Sequence, residues 1–361
     1  MSTSPATRRI LFACGALLFL LIIFRREAND RFYGQGPKPY PAPKLGIDEL
    51  SLWPLEQKLD YLFPYEVEAS FPKHIWQTWK VARDDDTFDK GIKGLVASWD
   101  SLNPEFTHEV ITDDTAFQLV KKLYISAPEI VQAYRDMPLP ILKADFFRYL
   151  MLLARGGIYT DVDTEALQSI RKWVPSAYNQ STVGIVIGLE ADPDRDDWPE
   201  WYARRIQFCQ WTIMSKPGHP ILKEVVTKIT NTTITMKEEG NLNKADAIKL
   251  VLDYTGPGVW TDAIFAYFNN PFFFNTTSSN ITNSDFFNLR EPKILGDVVV
   301  FPITSFSPGI GHMGAEGVDH PLAFVRHAFR GGLVTVEFSR APQTDIFTGS
   351  WRPSDNERGG P

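Results

Sequence analysis

The first apolar block in the chain is Ile10 to Phe24, ILFACGALLFLLIIF, which carries no charge and is bracketed by Arg8-Arg9 and Arg25-Arg26. As a helix it would run about 22 Å at ~1.5 Å per residue, short of a ~30 Å hydrocarbon core, which suits a thin early-secretory membrane or snorkelling arginines. Arg25-Arg26-Glu27-Ala28 offers no small-x-small cleavage site, so the block reads as an uncleaved signal anchor rather than a cleaved signal peptide. From Glu27 to about Ser70 the pattern turns polar and proline-studded (Pro37, Pro39, Pro41, Pro43, Pro54, Pro64), as in a semi-extended spacer. Inside it, Ile47 to Phe63 has apolar spacing for one short helix that could pack on the domain beyond.

At Phe71 the pattern changes to a short aromatic and β-branched run, FPKHIWQTW. Helical periodicity follows over Thr115–Tyr124, Pro128–Arg135 and Ile141–Ala154, and strand-like runs over Gly157–Thr160, Val183–Leu189 and Val298–Phe301. Such alternation predicts an α/β fold with a central, mostly parallel sheet. From about Arg340 the chain is rich in Pro, Gly, Ser and charge and reads as a disordered tail. The expected layout is a cytosolic tail over 1–9, a transmembrane anchor over 10–24, a stem over 25–70, a luminal globular domain over 71–335 and an atypical tail over 336–361.

Composition narrows the picture. A chain of 361 residues that is 43% hydrophobic has material for one large core, and a net charge of -7 argues against nucleic acid as a partner. Only Cys14 and Cys209 are present, and Cys14 lies in the anchor, so no disulfide framework is expected and Cys209 reads as a buried apolar residue. Basic residues flank the anchor on both sides and cannot orient it. Four N-x-S/T sequons, at Asn179, Asn231, Asn275 and Asn280, favour a luminal body, a type II topology and a Golgi or ER address.

The chemistry concentrates in ILKADFFRYLMLLARGGIYTDVDTEAL, Ile141 to Leu167. Its helical half is apolar around most of its circumference, yet carries Asp145 and Arg148 at i,i+3, a pair that burial makes costly without a reason. Gly156-Gly157 reads as a helix stop, after which Ile158-Tyr159-Thr160 delivers Asp161-Val162-Asp163 at a strand end. Two carboxylates at spacing two can share one hard divalent cation that bridges a diphosphate as a Lewis acid, the chemistry of a nucleotide-sugar transferase. The Asp-x-Asp motif alone is weak: Asp84-x-Asp86, Asp192-x-Asp194 and Asp194-x-Asp196 also match, but in charged, loop-like surroundings that suit a solvated turn.

On these residues the chain resembles glycosyltransferase family 32 and, more distantly, sugar-transferring clostridial toxins. The segments PKHIWQTWK, GLEADPDRDDW…WYARRIQFCQWT, KPGHPIL, TGPGVWTDAIF and VVVFPITSFSPGIGHMGA narrow the likeness to fungal initiation-specific α-1,6-mannosyltransferases, over Phe71 to about Arg330. The resemblance implies a GT-A-type, Rossmann-like nucleotide-sugar domain. Within it Asp145 and Arg148 would hold the donor sugar, Tyr159 would line the donor site, and Asp161 and Asp163 would serve manganese and ribose. Trp76 would stack on the base. It further implies GDP-mannose as donor, an N-glycan as acceptor, retention of configuration, and possible membership of a mannosyltransferase complex. Relatives close with His-x-Phe-x-Gly-Ser-Trp; here His327-Ala-Phe329 matches, which makes His327 a candidate metal ligand. Ser350-Trp351, which would close over the diphosphate, follow only after GLVTVEFSRAPQTDIFT, an apparent insertion from a retained intron or a faulty gene model.

Other residues stay open between function and structure. Glu190 and Asp192 end the strand-like VGIVIGLEAD, where a carboxylate could approach the anomeric carbon, orient an acceptor hydroxyl, or merely cap a turn. His312 sits in the Gly-rich GIGHMGA and could reach phosphate or metal, while His219 reads as structural and Trp198 or Trp201 as weaker sugar platforms. Three alternatives remain: a mannan-elongating subunit or a transferase of another sugar, a non-catalytic glycan-binding subunit, and a two-metal phosphodiesterase, for which six scattered histidines are a poor ligand supply.

Overall fold

The computed structural model describes residues 49, 50, 52–174, 178–192, 196–242, 247–274 and 280–329. The Ile10–Phe24 anchor, Asn275, the Gly332–Thr348 insertion, Ser350 and Trp351 lie outside them. Among the described residues no helix is long and apolar enough to cross a membrane.

Eight strands form one mixed sheet. In chain order they are β1 (His74–Trp79), β2 (Thr107–Thr112), β3 (Gly157–Thr160), β5 (Ile185–Ala191), β6 (Gln207–Phe208), β7 (Thr212–Ser215), β8 (Lys293–Leu295) and β9 (Val298–Phe301). The spatial order is β2-β1-β3-β7-β5-β9-β8, with β6 paired to β5. Pairs β1–β2, β1–β3 and β5–β9 are parallel, whereas β7 runs antiparallel to both β3 and β5. The sheet is thus less purely parallel than the alternation of elements predicts. The short TIMS strand enters from β6 without a crossover helix and lies reversed between the two parallel groups. A separate antiparallel pair joins β4 (Thr164–Ala166) to β10 (Val325–His327).

Alternation along the strands divides the core between the two sheet faces. Ile185, Ile187 and Leu189 of β5 and Tyr159 of β3 belong to one cluster with Phe146, Leu150, Val225 and Ile264. Val186 and Ile158 belong to another, with Trp99, Trp173, Phe306 and Phe324. The helices are α1 (Leu55–Leu62), α2 (Lys90–Leu102), α3 (Asp113–Leu123), α4 (Pro128–Asp136), α5 (Pro140–Arg155), α6 (Pro220–Glu238), α7 (Ala247–Tyr254), α8 (Pro257–Phe268) and the short α9 (Ile303–Phe306). Helix α1 falls where the sequence places the stem. Yet Leu59 and Phe63 are buried in the first cluster, and Lys58 pairs with Glu129 of α4 at 2.6 Å, so the folded unit extends ahead of Phe71.

Helix α5 is central: every residue from Asp145 to Ala154 is buried. Pro140 opens it at a position that has no helical acceptor to lose. Gly156 ends it at φ 62°, where an added Cβ would stand within 2.8 Å of Pro217 and of the Ser215 carbonyl, so only glycine fits. The next residue begins β3, and this tight return places Arg148 beneath the strand end that carries Asp161.

Candidate active site

Asp161 leaves the end of β3 with its backbone fixed on both sides. Its N–H donates to the Trp211 carbonyl (2.8 Å), and its own carbonyl accepts from Thr164 Oγ1 (2.6 Å) and Gln77 Nε2 (3.2 Å). Two residues on, the Asp163 carbonyl accepts from Ala328 N–H (2.9 Å), and the β4–β10 pairing sets His327 opposite Thr164. His327 Nε2 therefore comes within 3.1 Å of Asp163 Oδ1. The Trp211 ring lies against the imidazole, centroids 4.9 Å apart and planes 8° from parallel, and Phe329 meets it edge-on.

Asp161, Asp163 and His327 each offer a ligand atom, and these atoms lie within 4.8 Å of one another. Two carboxylates and an imidazole suit a divalent cation at the hard-to-borderline end of the series. His327 Nε2 is the ring nitrogen that faces Asp163, while Nδ1 is buried without a hydrogen-bond partner. Burial raises the Asp161 carboxyl pKa; Arg148 opposes this and Asp163 adds to it, so further positive charge beside the pair would be welcome. Burial alone would lower the His327 pKa, but Asp163 reverses the shift, and a cation would compete with that proton.

Beneath this group Arg148 Nη2 stands 3.0 Å from Oδ1 of both Asp145 and Asp161. Its guanidinium lies over the Tyr159 ring, 5.1 Å from the centroid. Asp145 is also held by Thr255 Oγ1 (3.0 Å) and Gln210 Nε2 (3.4 Å), while Tyr149 hydroxyl bonds Gln210 Oε1 (2.5 Å) and the Thr255 carbonyl (3.2 Å). Burial pushes the Asp145 carboxyl up to about 7 despite Arg148. Burial works against the Arg148 charge, but Asp161 and Asp145 outweigh it and raise its pKa. The cluster is held by a four-element junction of α5, β3, the β6–β7 link and the α7–α8 link.

The structure therefore gathers Asp145, Arg148, Asp161, Asp163 and His327. Tyr159 is buried below Arg148, its hydroxyl 3.1 Å from Thr78 Oγ1, and supports the guanidinium rather than lining an open cleft. Trp76 departs from expectation as a base platform: it is 7% exposed, donates its indole N–H to the Gly156 carbonyl (2.9 Å) and already stacks on His74 at 3.9 Å. Lying between His74 and Thr78 in β1, it sits below the strand end that bears the site. Asp192 is committed to Arg205 (3.1 Å) and to the Asn288 N–H (2.5 Å), which makes it a loop tie. His312 does not join the Asp161–Asp163–His327 group. His219 caps α6 and Cys209 is buried, as read from the sequence. Asp84 and Asp86 are exposed in a turn, and Asn179, Asn231 and Asn280 are exposed.

Gln210, Thr255 and Tyr149 have no role assigned from the sequence, where Trp211 reads as a core aromatic or a sugar platform. Three of the four lie in the quoted segments QFCQWT and TGPGVW, and Tyr149 lies in ADFFRY, but their roles arise only when distant loops meet Asp145 and His327.

Residues 89–180 match the family model described as glycosyltransferase sugar-binding region containing DXD motif. Over 319 residues the chain is 43% identical to an initiation-specific alpha-1,6-mannosyltransferase of Candida albicans, covering 84% of this chain and 82% of that one. The protein of the same name from Schizosaccharomyces pombe is 46% identical over 276 residues, 75% of this chain and 66% of that one. The Saccharomyces cerevisiae protein of that name is 36% identical, over 77% of this chain and 81% of its own.

Proposed function

The chain belongs to glycosyltransferase family 32 and is a glycosyltransferase, and on that premise we propose that it transfers mannose from GDP-mannose to a mannose of an N-glycan in α-1,6 linkage, with retention of configuration. The observation that carries this reading is the junction of a buried Asp145–Arg148 pair with the Asp161–Asp163–His327 group, on a chain similar over most of its length to proteins named for that linkage.

In this reading Asp161, Asp163 and His327 hold a manganese ion, which supplies positive charge to the departing diphosphate. Arg148 is fixed by two carboxylates and an aromatic face, so it presents charge without reorganising when the donor binds. Asp145, aligned by Thr255 and Gln210, accepts hydroxyls of the donor sugar. Trp211 and Phe329 hold the His327 ring and exclude water from its edge. Positioning and electrostatics then supply most of the barrier lowering, with attack on the face from which GDP departs. The Golgi membrane, with the catalytic domain luminal and N-glycans at the exposed sequons, is the setting in which such donor and acceptor meet.

The test is transfer by the full chain solubilised from membranes, given GDP-mannose, manganese and a high-mannose N-glycan, beside Asp161→Ala/Asp163→Ala. Metal-dependent addition of one α-1,6 mannose, lost in the variant, is expected. Transfer of another sugar, or glycan binding without turnover, would overturn the proposal.

A further inference from the structure

Glu190 is a half-buried carboxylate beside the site for which the reading above has no use. It stands near the end of β5, at the same carboxyl edge of the sheet as Asp161. Opposite it the pairing with β6 slips: Leu189 faces Phe208 and Ala191 faces the next residue back, Gln207, so Glu190 is the extra residue of a bulge. Bulges of this kind re-aim a side chain, and they concentrate beside active sites.

The side chain is also held as an acceptor. Gln207 Oε1 takes the backbone N–H groups of Ala203 (2.9 Å) and Arg204 (3.3 Å), which leaves its amide N–H₂ for the Glu190 carboxyl that it hydrogen-bonds. Oε2 of Glu190 is buried with no hydrogen-bond partner. Leaving such an atom unsatisfied is costly, and the cost is relieved where a ligand group completes the bond. Glu190 is within electrostatic range of His327, Arg148 and Asp145, that is, of both the cation group and the donor-sugar pair. Its neighbour Asp192, by contrast, has both oxygens engaged in the loop.

Resting on the transferase reading, we propose that Glu190 positions the acceptor, its Oε2 taking the hydrogen bond of the attacking hydroxyl. In the step, the acceptor oxygen forms the bond to the anomeric carbon of the donor sugar. The bond from that carbon to the diphosphate oxygen breaks, and its electron pair leaves with the nucleoside diphosphate. The hydroxyl proton passes to that departing oxygen, which lies on the face of attack, so the configuration is retained. The carboxylate already on the donor side, Asp145, is tied to Arg148, Thr255 and Gln210.

The experiment compares the full-length protein with Glu190→Gln and Glu190→Ala, reading GDP-mannose affinity, transfer to the N-glycan, and rescue of Glu190→Ala by formate. Both variants are expected to bind GDP-mannose and manganese within about threefold of the parent and to lose transfer by about 10²-fold, chiefly through a raised KM for the glycan. Formate is expected to restore transfer in Glu190→Ala and to leave Glu190→Gln inactive. Transfer by Glu190→Gln at the parent rate, or loss of donor affinity equal to the loss of transfer, would overturn the assignment while leaving the transferase reading intact. A parent protein that binds donor but transfers to no glycan would overturn both.

Discussion

Arg148 Nη2 lies 3.0 Å from Asp161 Oδ1, across the gap between helix α5 and the end of strand β3, and the same nitrogen lies 3.0 Å from Asp145 Oδ1. One guanidinium nitrogen thus ties helix α5 to the first carboxylate of the Asp161–Asp163–His327 group. The arrangement is locally over-determined: the guanidinium is buried, backed by Tyr159, and flanked by two acids. Removing the arginine would leave the buried Asp145 and the half-buried Asp161 carboxyl groups facing each other.

Arg148→Ala is therefore expected to destabilise the fold by roughly 3–5 kcal/mol, the usual cost of stranding one side of a buried ion pair. Arg148→Lys keeps the charge but not the fork, and should fold while losing transfer by about 10²-fold or more. Denaturant unfolding monitored by tryptophan fluorescence, with transfer assays on the same samples, separates the two effects. Parent-like stability in Arg148→Ala would show that the acids relax by taking up protons.

The Trp211–His327 stack carries a second expectation. Chelation by EDTA should abolish transfer, and added manganese should restore it. His327→Ala should weaken manganese binding by about 10–100-fold, and Trp211→Leu, which removes the parallel ring but no ligand, by about tenfold. Manganese titration followed by electron paramagnetic resonance reads the affinity directly, without turnover. Equal affinity in parent and Trp211→Leu would reduce the indole to packing.

Much of this site is legible in the sequence because its central part is local. Helix α5, the Gly156 stop, β3 and Asp161-x-Asp163 follow one another within a single stretch, and the observed bounds of β3 and β9 coincide with their apolar runs. What escapes is set by topology. The reversed strand β7 is four residues long and has no pattern that states its direction. Thr255 and Gln210 acquire their role only where the α7–α8 link and the β6–β7 link converge on Asp145. Trp76 shows the converse limit: an aromatic in the first strand reads equally as ligand platform or core, and the Gly156 carbonyl and His74 ring decide for the core. The bulge at Glu190 depends on the β5–β6 register, which no single strand encodes.

At the opposite edge of the sheet, Asp297 predicts an acid limit to stability. Burial alone would raise its pKa, but the His219 side chain (3.3 Å) and hydrogen bonds from the Tyr65 and Tyr267 hydroxyls bring it down to about 2. A folded pKa below the unfolded value stabilises above ~4, and that contribution disappears as pH falls from ~4 to about 2, here about 2 kcal/mol. Unfolding free energies of the parent and Asp297→Asn across pH 2–6 should converge as the pH drops. Parallel curves would mean that Asp297 titrates alike in the folded and unfolded chains.

Lys216 predicts a trend of the same sign in base. Its ammonium is buried, held by the carbonyls of Val67 and Ser181 and lying 5.0 Å over the Phe71 ring, so it fastens the approach to β1 onto the start of α6. Burial lowers its pKa to about 8, with Asp297 and Glu68 opposing. Between pH 8 and ~10.4 the unfolded chain therefore binds more protons at this residue than the folded one, and stability should rise with pH through that window. Lys216→Met also removes two hydrogen bonds, so its absolute stability is uninformative; the difference from the parent as a function of pH is the measurement. The parent should gain on Lys216→Met from pH 8 to 10 in denaturant titrations. A constant difference would mean that the ammonium reaches solvent and that the fastening is made by packing alone.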